Sequence, residues 1–263
     1  MIEFSKELLE LDGIEDSLPH IEKFYEYNGS RVPRVTQILQ QCEDQQGLIK
    51  WAVGVGYRKY NEIREKSLEV GTIVHESIDH YLIDKYKYGK DFMIEYDTIQ
   101  ENYRSAVYTS FENFKLWEHN LNNLGYSIEE LVGIEIPIIT PWYGGTIDAI
   151  FKINGVYYII DFKTSKQISN SYLIQTAAYM WGVNSGYGEN LPTIGGIGII
   201  RADKTNYGII DDLFLTVSDP YQNKIINDHI LCFYSYLEAY YRTLSINHQD
   251  NKYKDSYDIR GVL

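Results

Sequence analysis

Cysteine is nearly absent: Cys42 and Cys232 are the only two in 263 residues. Two thiolates cannot complete a four-thiolate zinc or iron–sulfur site, so no such centre is expected. Free thiols also fit a reducing cytoplasm. No run of about eighteen apolar residues occurs, which excludes a transmembrane helix and any membrane partnership of that kind. The opening MIEFSKELLELDG lacks a basic stretch followed by an apolar one, so a secretory signal is not expected there and a cytoplasmic location is. Bases are scarce too, 24 against 37 acids, for a net charge of −13. That balance argues against a generic nucleic-acid coat protein. Neither an internal repeat nor a linker-like stretch divides the chain. One domain is expected over 1–263, with a mainly helical part at 1–130, a mixed-sheet core at 131–245 and a polar tail at 246–263.

What charge there is lies unevenly. Residues 1–30 form an acidic arm with a short helix expected near Ser5 to Leu11, whereas residues 31–66 are net basic. VPRVTQILQQ reads as an extended segment followed by a helix, with Thr36 as its N-cap. Gly47 to Lys66 reads as a second helix despite Gly54 and Gly56. It sets Trp51, Tyr57 and Tyr60 among Lys50, Arg58, Lys59 and Arg64. Such interleaving suits single-stranded nucleic acid, because each base offers a π-face and each nucleotide a phosphate. Ordinary amphipathic packing explains the same pattern equally well.

The stretch with most chemistry is GGTIDAIFKINGVYYIIDFKTS, 144–165. Two β-rich runs flank Asn154-Gly155, the dipeptide that best supports a type I′ turn. If those two residues make the loop, Ile153 faces Val156 and Asp148 faces Asp161. Two carboxylates then stand about 5 Å apart on one sheet face among apolar neighbours. A divalent cation between them would remove the conflict. Lys163, two residues beyond Asp161, shares that face. The competing readings are solvated acids at strand ends, or a bulge that separates the pair.

EVGTIVHESIDHYLIDKY reads as a helix with Val74, Ile78, Tyr81 and Leu82 as its apolar stripe. Gly71 and His75 share one face, where the missing side chain allows close approach beside the imidazole, and Asp79 could orient the ring. By itself His75 reads as an ordinary partly buried histidine. A long amphipathic helix follows over Tyr96 to Gly125, then a strand over Leu131 to Thr140. Glu135, the only charge in that strand, is either a third site carboxylate or a strand-edge acid. After Lys163 come a helix over Ser171 to Val183, with Gln175 and Tyr179 on one face beside Tyr172, and a glycine-bearing strand, Thr193 to Ala202. The crossover makes that strand parallel to 156–164. A second hairpin through Tyr207 to Val217 and a helix over Asp219 to Leu244 complete the chain.

With GTIVH (71–75), GGTID (144–148), IIDFKTSK (159–166) and QTAAY (175–179) standing in that order, the chain resembles the PD-(D/E)XK nucleases, in particular their RecB-like exonuclease branch. VPRVTQILQQ adds a likeness to the mitochondrial genome maintenance exonuclease group, so the resemblance spans about 31–245. It implies an α/β, restriction-endonuclease-like core, a mixed central sheet flanked by helices with an N-terminal helical region. The activity implied is metal-dependent exonucleolytic cleavage of DNA, from single-stranded ends, in replication, recombination or repair. His75, Asp148, Asp161 and the main-chain carbonyl of Phe162 would hold Mg²⁺ or Mn²⁺, and Lys163 would position the attacking water. Glu135, Gln175, Tyr179, Arg34, Trp51, Arg58 and Lys166 would support the site or the DNA. Ile147 stands where the motif has proline. The rival readings are a flap or junction endonuclease, a non-catalytic DNA-binding module on the same fold, and a hydrolase of small phosphorylated molecules.

Overall fold

The computed structural model describes residues 25–42 and 46–256. Most of the acidic arm, with its expected helix at Ser5 to Leu11, and the end of the polar tail lie outside the described residues. The last part of that arm is a strand instead. β1 (Tyr25–Tyr27) pairs with β2 (Ser30–Val32) across an Asn28-Gly29 turn whose φ angles are 51° and 86°. Gly144 N donates to Pro33 O at 2.9 Å, which seats this hairpin beside the main sheet.

α1 (Val35–Cys42) starts one residue after Arg34, whose carbonyl accepts from Gln37 N and Ile38 N at 3.0 and 3.1 Å. Thr36 is thus inside the first turn and is not the N-cap, because the residue whose carbonyl takes the first helical bond holds that place. The single helix expected over Gly47 to Lys66 is also two pieces. α2 (Gln46–Val55) ends at Gly56, where φ is 81° and ψ 147°, and α3 (Tyr57–Ile83) begins after it. A glycine takes that left-handed φ without a Cβ clash, so the chain turns there. The basic residues Arg58 to Lys66 therefore share one helix with His75. α4 (Glu101–Asn123) begins later than expected, since Tyr96–Thr98 make only a 3₁₀ turn. Buried Glu118 of α4 accepts from the Tyr81 and Tyr86 hydroxyls and, at 2.7 Å, from Lys85 Nζ, which ties α3 to α4.

β3 (Ile128–Ile139), β4 (Gly144–Ile153), β5 (Val156–Lys163), β6 (Gly196–Ala202) and β7 (Ile210–Thr216) form one sheet in that spatial order. β5 and β6 run parallel across α5 (Asn170–Gly182), and the other neighbours are antiparallel, so the sheet is mixed. α6 (Pro220–Ser256) closes the fold and its backbone stays helical well into the expected polar tail. Asn154 and Gly155 have φ of 48° and 75°, as the type I′ turn requires, and the register follows: Ile153 pairs with Val156 and Ala149 with Ile160.

β5 is buried on both faces, which is why it reads as an unbroken apolar run. Ile159 with Ile147, Ile150 and Ile197 packs against α1, α5 and α6. Ile160 and Phe162 with Phe151 pack against α3 and α4, where Phe114 lies 5.4 Å from the Phe162 ring. The result is a three-layer α/β domain with helices on both sheet faces. Truncating a ring such as Phe162 would cost about 3–5 kcal/mol.

Candidate active site

A cleft of about 940 Å³ lies between α3 and the chain leaving β5. α3 lends it Ser67, Gly71, His75 and Asp79, each four residues from the last and hence on one face. A Cβ on Gly71 would lie 3.6 Å from Thr164 Oγ1, an ordinary contact, so this glycine is not demanded by close packing on the imidazole. Asp79 does not orient the ring either. Its Oδ1 is buried without a hydrogen-bond partner, and it faces other carboxylates.

The acids arrive through a kink shared by two strands. β3 and β4 pair Ile136 with Ile147 and Ile134 with Ala149, which sets Glu135 opposite Asp148. Residues two apart on a strand share a face. Here Ile136 and Ile147 join the core under α1, α5 and α6, while Ile134 and Ala149 join the core under α3 and α4. Both strands thus change face at Glu135 and Asp148. Glu135 has φ of 50°, a conformation that costs a non-glycine residue about 1–3 kcal/mol and clusters at functional sites.

The carboxylate pair expected at Asp148 and Asp161 is resolved differently. The ladder stops at Ala149 and Ile160. Asp148 Oδ2 accepts from the Phe162 N–H at 2.8 Å and lies 3.6 Å from His75 Nδ1. Asp161, 2% exposed, accepts from Lys163 Nζ through Oδ1 at 2.7 Å. The same nitrogen approaches Oδ2 at 2.6 Å outside hydrogen-bonding angles, leaving that oxygen unpartnered. The reason is the strand period, which puts Lys163 beside Asp161 and gives each acid its own partner. Among the described residues, His75, Glu135 and Asp148 form a donor group with one ligand atom from each within 4.8 Å of the others. Glu135 is thus a member of the cluster, and Asp161 stands behind it.

Titration follows from this crowding. Burial, with a contribution from the Lys163 charge, lowers His75 to about 4, so its ring is neutral at pH 7 with a lone pair to give. The Phe162 backbone, hydrogen-bonded to that ring, opposes the drop. Burial and then Glu135, Asp148 and Glu76 raise Asp79 to about 7. Burial raises Asp161 to about 6 against the pull of Lys163. Burial also raises Asp148, and burial and Asp148 together raise Glu135. Burial pulls Lys163 down, but Asp161 and Asp148 outweigh it and keep the ammonium charged.

This donor set fits a hard divalent cation. Carboxylates, a neutral imidazole and a main-chain carbonyl suit Mg²⁺ or Mn²⁺, which bind oxygen at about 2.1 Å. Asp79 Oδ1 is buried without a hydrogen-bond partner, Asp161 Oδ2 meets only the Lys163 ammonium, and burial raises Asp79, Glu135, Asp148 and Asp161 alike, with the Asp148 charge adding to the other three. One ligand atom from each of His75, Glu135 and Asp148 lies within 4.8 Å of the others, against about 4.2 Å across such an ion, so the side chains would draw in slightly to hold it.

The remaining expected residues divide. Gln175 Nε2 donates to the Tyr179 hydroxyl at 3.2 Å, but neither lines the cleft. Tyr179 is buried against Gly145, where a Cβ would lie 2.3 Å from Cε1, so that glycine admits the ring. Lys166 lines the cleft, and so does Tyr172, whose ring centre lies 4.8 Å from Lys163 Nζ. Arg34 bridges to Gly144, Trp51 packs edge-on against Tyr60 at 5.5 Å, and Arg58 pairs with Glu62 at 3.3 Å, all away from the cleft walls. Sequence reasoning passed over Ser67 and Lys204. The four-residue spacing from Ser67 to Asp79 could have signalled the first, whereas nothing local marks Lys204.

No protein-family model matches this sequence, and a search of curated proteins finds no significant match. Among the described residues, no helix is long and apolar enough to cross a membrane.

Proposed function

We propose that this protein is a metal-dependent deoxyribonuclease of the PD-(D/E)XK type, an exonuclease of the RecB-like branch on a restriction-endonuclease-like core, acting at single-stranded DNA ends in replication, recombination or repair. The observation that carries the reading is the convergence of His75, Glu135 and Asp148 within 4.8 Å, with His75, Glu135 and Lys163 lining one cleft and Asp148, half-buried, and Asp161, buried, behind its wall. His75, Asp148, Glu135 and the Phe162 carbonyl would hold Mg²⁺ or Mn²⁺, with Asp161 joining as Lys163 releases it. The ion would supply charge neutralisation on the phosphate oxygens and a more acidic bound water.

The chain's own groups have the remaining work. Phe162 is anchored by its ring in the α3–α4 core, and its N–H fixes the Asp148 carboxylate. Lys163, freed from Asp161, is a compact cation that can orient a water and meet developing charge on a phosphoryl oxygen. Tyr172 stacks under that ammonium and limits where it can point. The strand's approach is along α3, which joins Arg58 to His75 in one helix about 25 Å long over that span. Exposed Trp51 near the start of that path offers a base-stacking face.

The test is digestion of end-labelled and circular single-stranded DNA in Mg²⁺, Mn²⁺ or EDTA, with Asp148→Ala alongside. Metal-dependent shortening of the linear strand, an intact circle and an inert variant are expected. Cleavage of the circle would favour an endonuclease, and equal activity of Asp148→Ala would remove the site assignment.

A further inference from the structure

Beside the acidic cleft lies a second depression of about 340 Å³ that shares Ser67 and Lys204 with it. Its polar lining is Lys66, Ser67, Asn102, Ser105, Lys204 and Thr205, and no acidic side chain lines it. Lys204 Nζ donates to Ser67 Oγ at 3.2 Å. Its neighbour Asp203 is already engaged by Arg201 Nη1 at 3.0 Å and by the Thr205 and Asn206 amides at 2.8 and 2.7 Å. Lys66 is exposed, 5.9 Å from the Tyr103 ring centre. Among the described residues neither lysine has a carboxylate within ion-pair distance, in a chain of net charge −13. Two lysines with no ion-pair partner line a depression whose other polar groups are hydroxyls and an amide, and one of them loses solvation there, a lining suited to a tetrahedral anion.

We propose that this depression is a phosphate subsite that holds a backbone phosphodiester of the substrate strand. The proposal rests on the nuclease reading for what carries the phosphate. Ser67 precedes His75 by two helical turns and more, about 12 Å along α3. At about 3.4 Å per stacked nucleotide that distance is roughly three to four nucleotides from the bond to be cut. The acids would then confine the reacting phosphate to the metal, while the lysines grip the strand in a depression that no acidic side chain lines.

The experiment measures binding of a labelled single strand about 12 nucleotides long, in Ca²⁺ and in EDTA, by wild type, Lys66→Ala and Lys204→Ala. Each variant is expected to bind about tenfold more weakly, with a log–log salt slope shallower by about 0.7. The loss should disappear for a trinucleotide, which is too short to reach from the metal to the depression. Unchanged affinity and salt slope in both variants, or a wild type that binds no strand, would overturn the subsite. Lys66→Ala removes an exposed side chain and so keeps the test open if Lys204→Ala folds poorly. Digestion in Mg²⁺ is read separately. Lysine-dependent binding without digestion would reject the nuclease reading and leave the subsite standing.

Discussion

Replacing Asp148 by Asn should stabilise the metal-free protein while ending any metal response. Asp148 is the hub of the acidic cluster, since its charge raises Asp79, Glu135 and Asp161 alike. For Glu135 alone, oxygens no more than 4.8 Å apart and an effective dielectric of about 20 give a repulsion of at least about 3.5 kcal/mol when both are ionised. Attraction to Lys163 opposes this, and the Phe162 N–H bond weakens when its acceptor becomes neutral. The Asn carbonyl keeps that bond, so what remains uncancelled is repulsion from Asp79 and Asp161. The net gain is about 1–3 kcal/mol, or a Tm higher by about 3–10 °C for a chain of this size. The assay is thermal unfolding at pH 8 in EDTA and then with millimolar Mn²⁺. Wild type should gain about 2.7 kcal/mol of stability when the ion is at a hundred times its Kd, and the variant little. A variant that melts below wild type in EDTA, or a wild type indifferent to Mn²⁺, would show that the acids are not held against their mutual repulsion for an ion.

Lys163→Ala should lose activity and also stability, because Asp161 would be left buried and unpaired at a cost of about 3–5 kcal/mol. Adding Asp161→Asn should restore most of the lost Tm, and a single variant as stable as wild type would contradict a stabilising role for the Asp161–Lys163 pair. In EDTA, stability should fall as pH rises from about 4 toward 7. Asp79 at about 7 and Asp161 at about 6 hold protons more tightly in the folded chain than in the unfolded one, where the carboxyl value is 3.8. His75, lowered from 6.5 to about 4, acts in the opposite direction and offsets one of them. Melting curves at pH 5, 6 and 7.5 check the sign, and Asp79→Asn should flatten the upper part. Gly145→Ala should cost about 1–3 kcal/mol, read as a lower urea midpoint, because its Cβ would enter the Tyr179 ring.

The sheet's centre was legible because its signals are local. Asn154-Gly155 fixes the turn, the turn fixes the register, and the crossover length makes β6 parallel to β5. Asn28-Gly29 carried the same turn signal and was hidden only by the acidic residues around it. Gly56 was not legible: Gly54 lies two residues earlier in the same apolar stretch and stays helical, so nothing local says which glycine breaks the helix. The site divides on the same line. Lys163 beside Asp161 follows from a period of two along one strand. That Asp148 takes the Phe162 N–H and joins His75 and Glu135, outside the β4–β5 ladder, depends instead on a face change made jointly by β3 and β4. Val132 to Ile138 reads as even alternation around Glu135, and a strand left to itself would keep it. The alternation breaks because Ile134 and Ile136 are drawn into different cores, on opposite sides of the sheet. Glu135 absorbs the reversal with a positive φ, and in doing so it meets His75 and Asp148. The residue that completes the donor group is therefore positioned by long-range packing, which is why the sequence left it between strand edge and site.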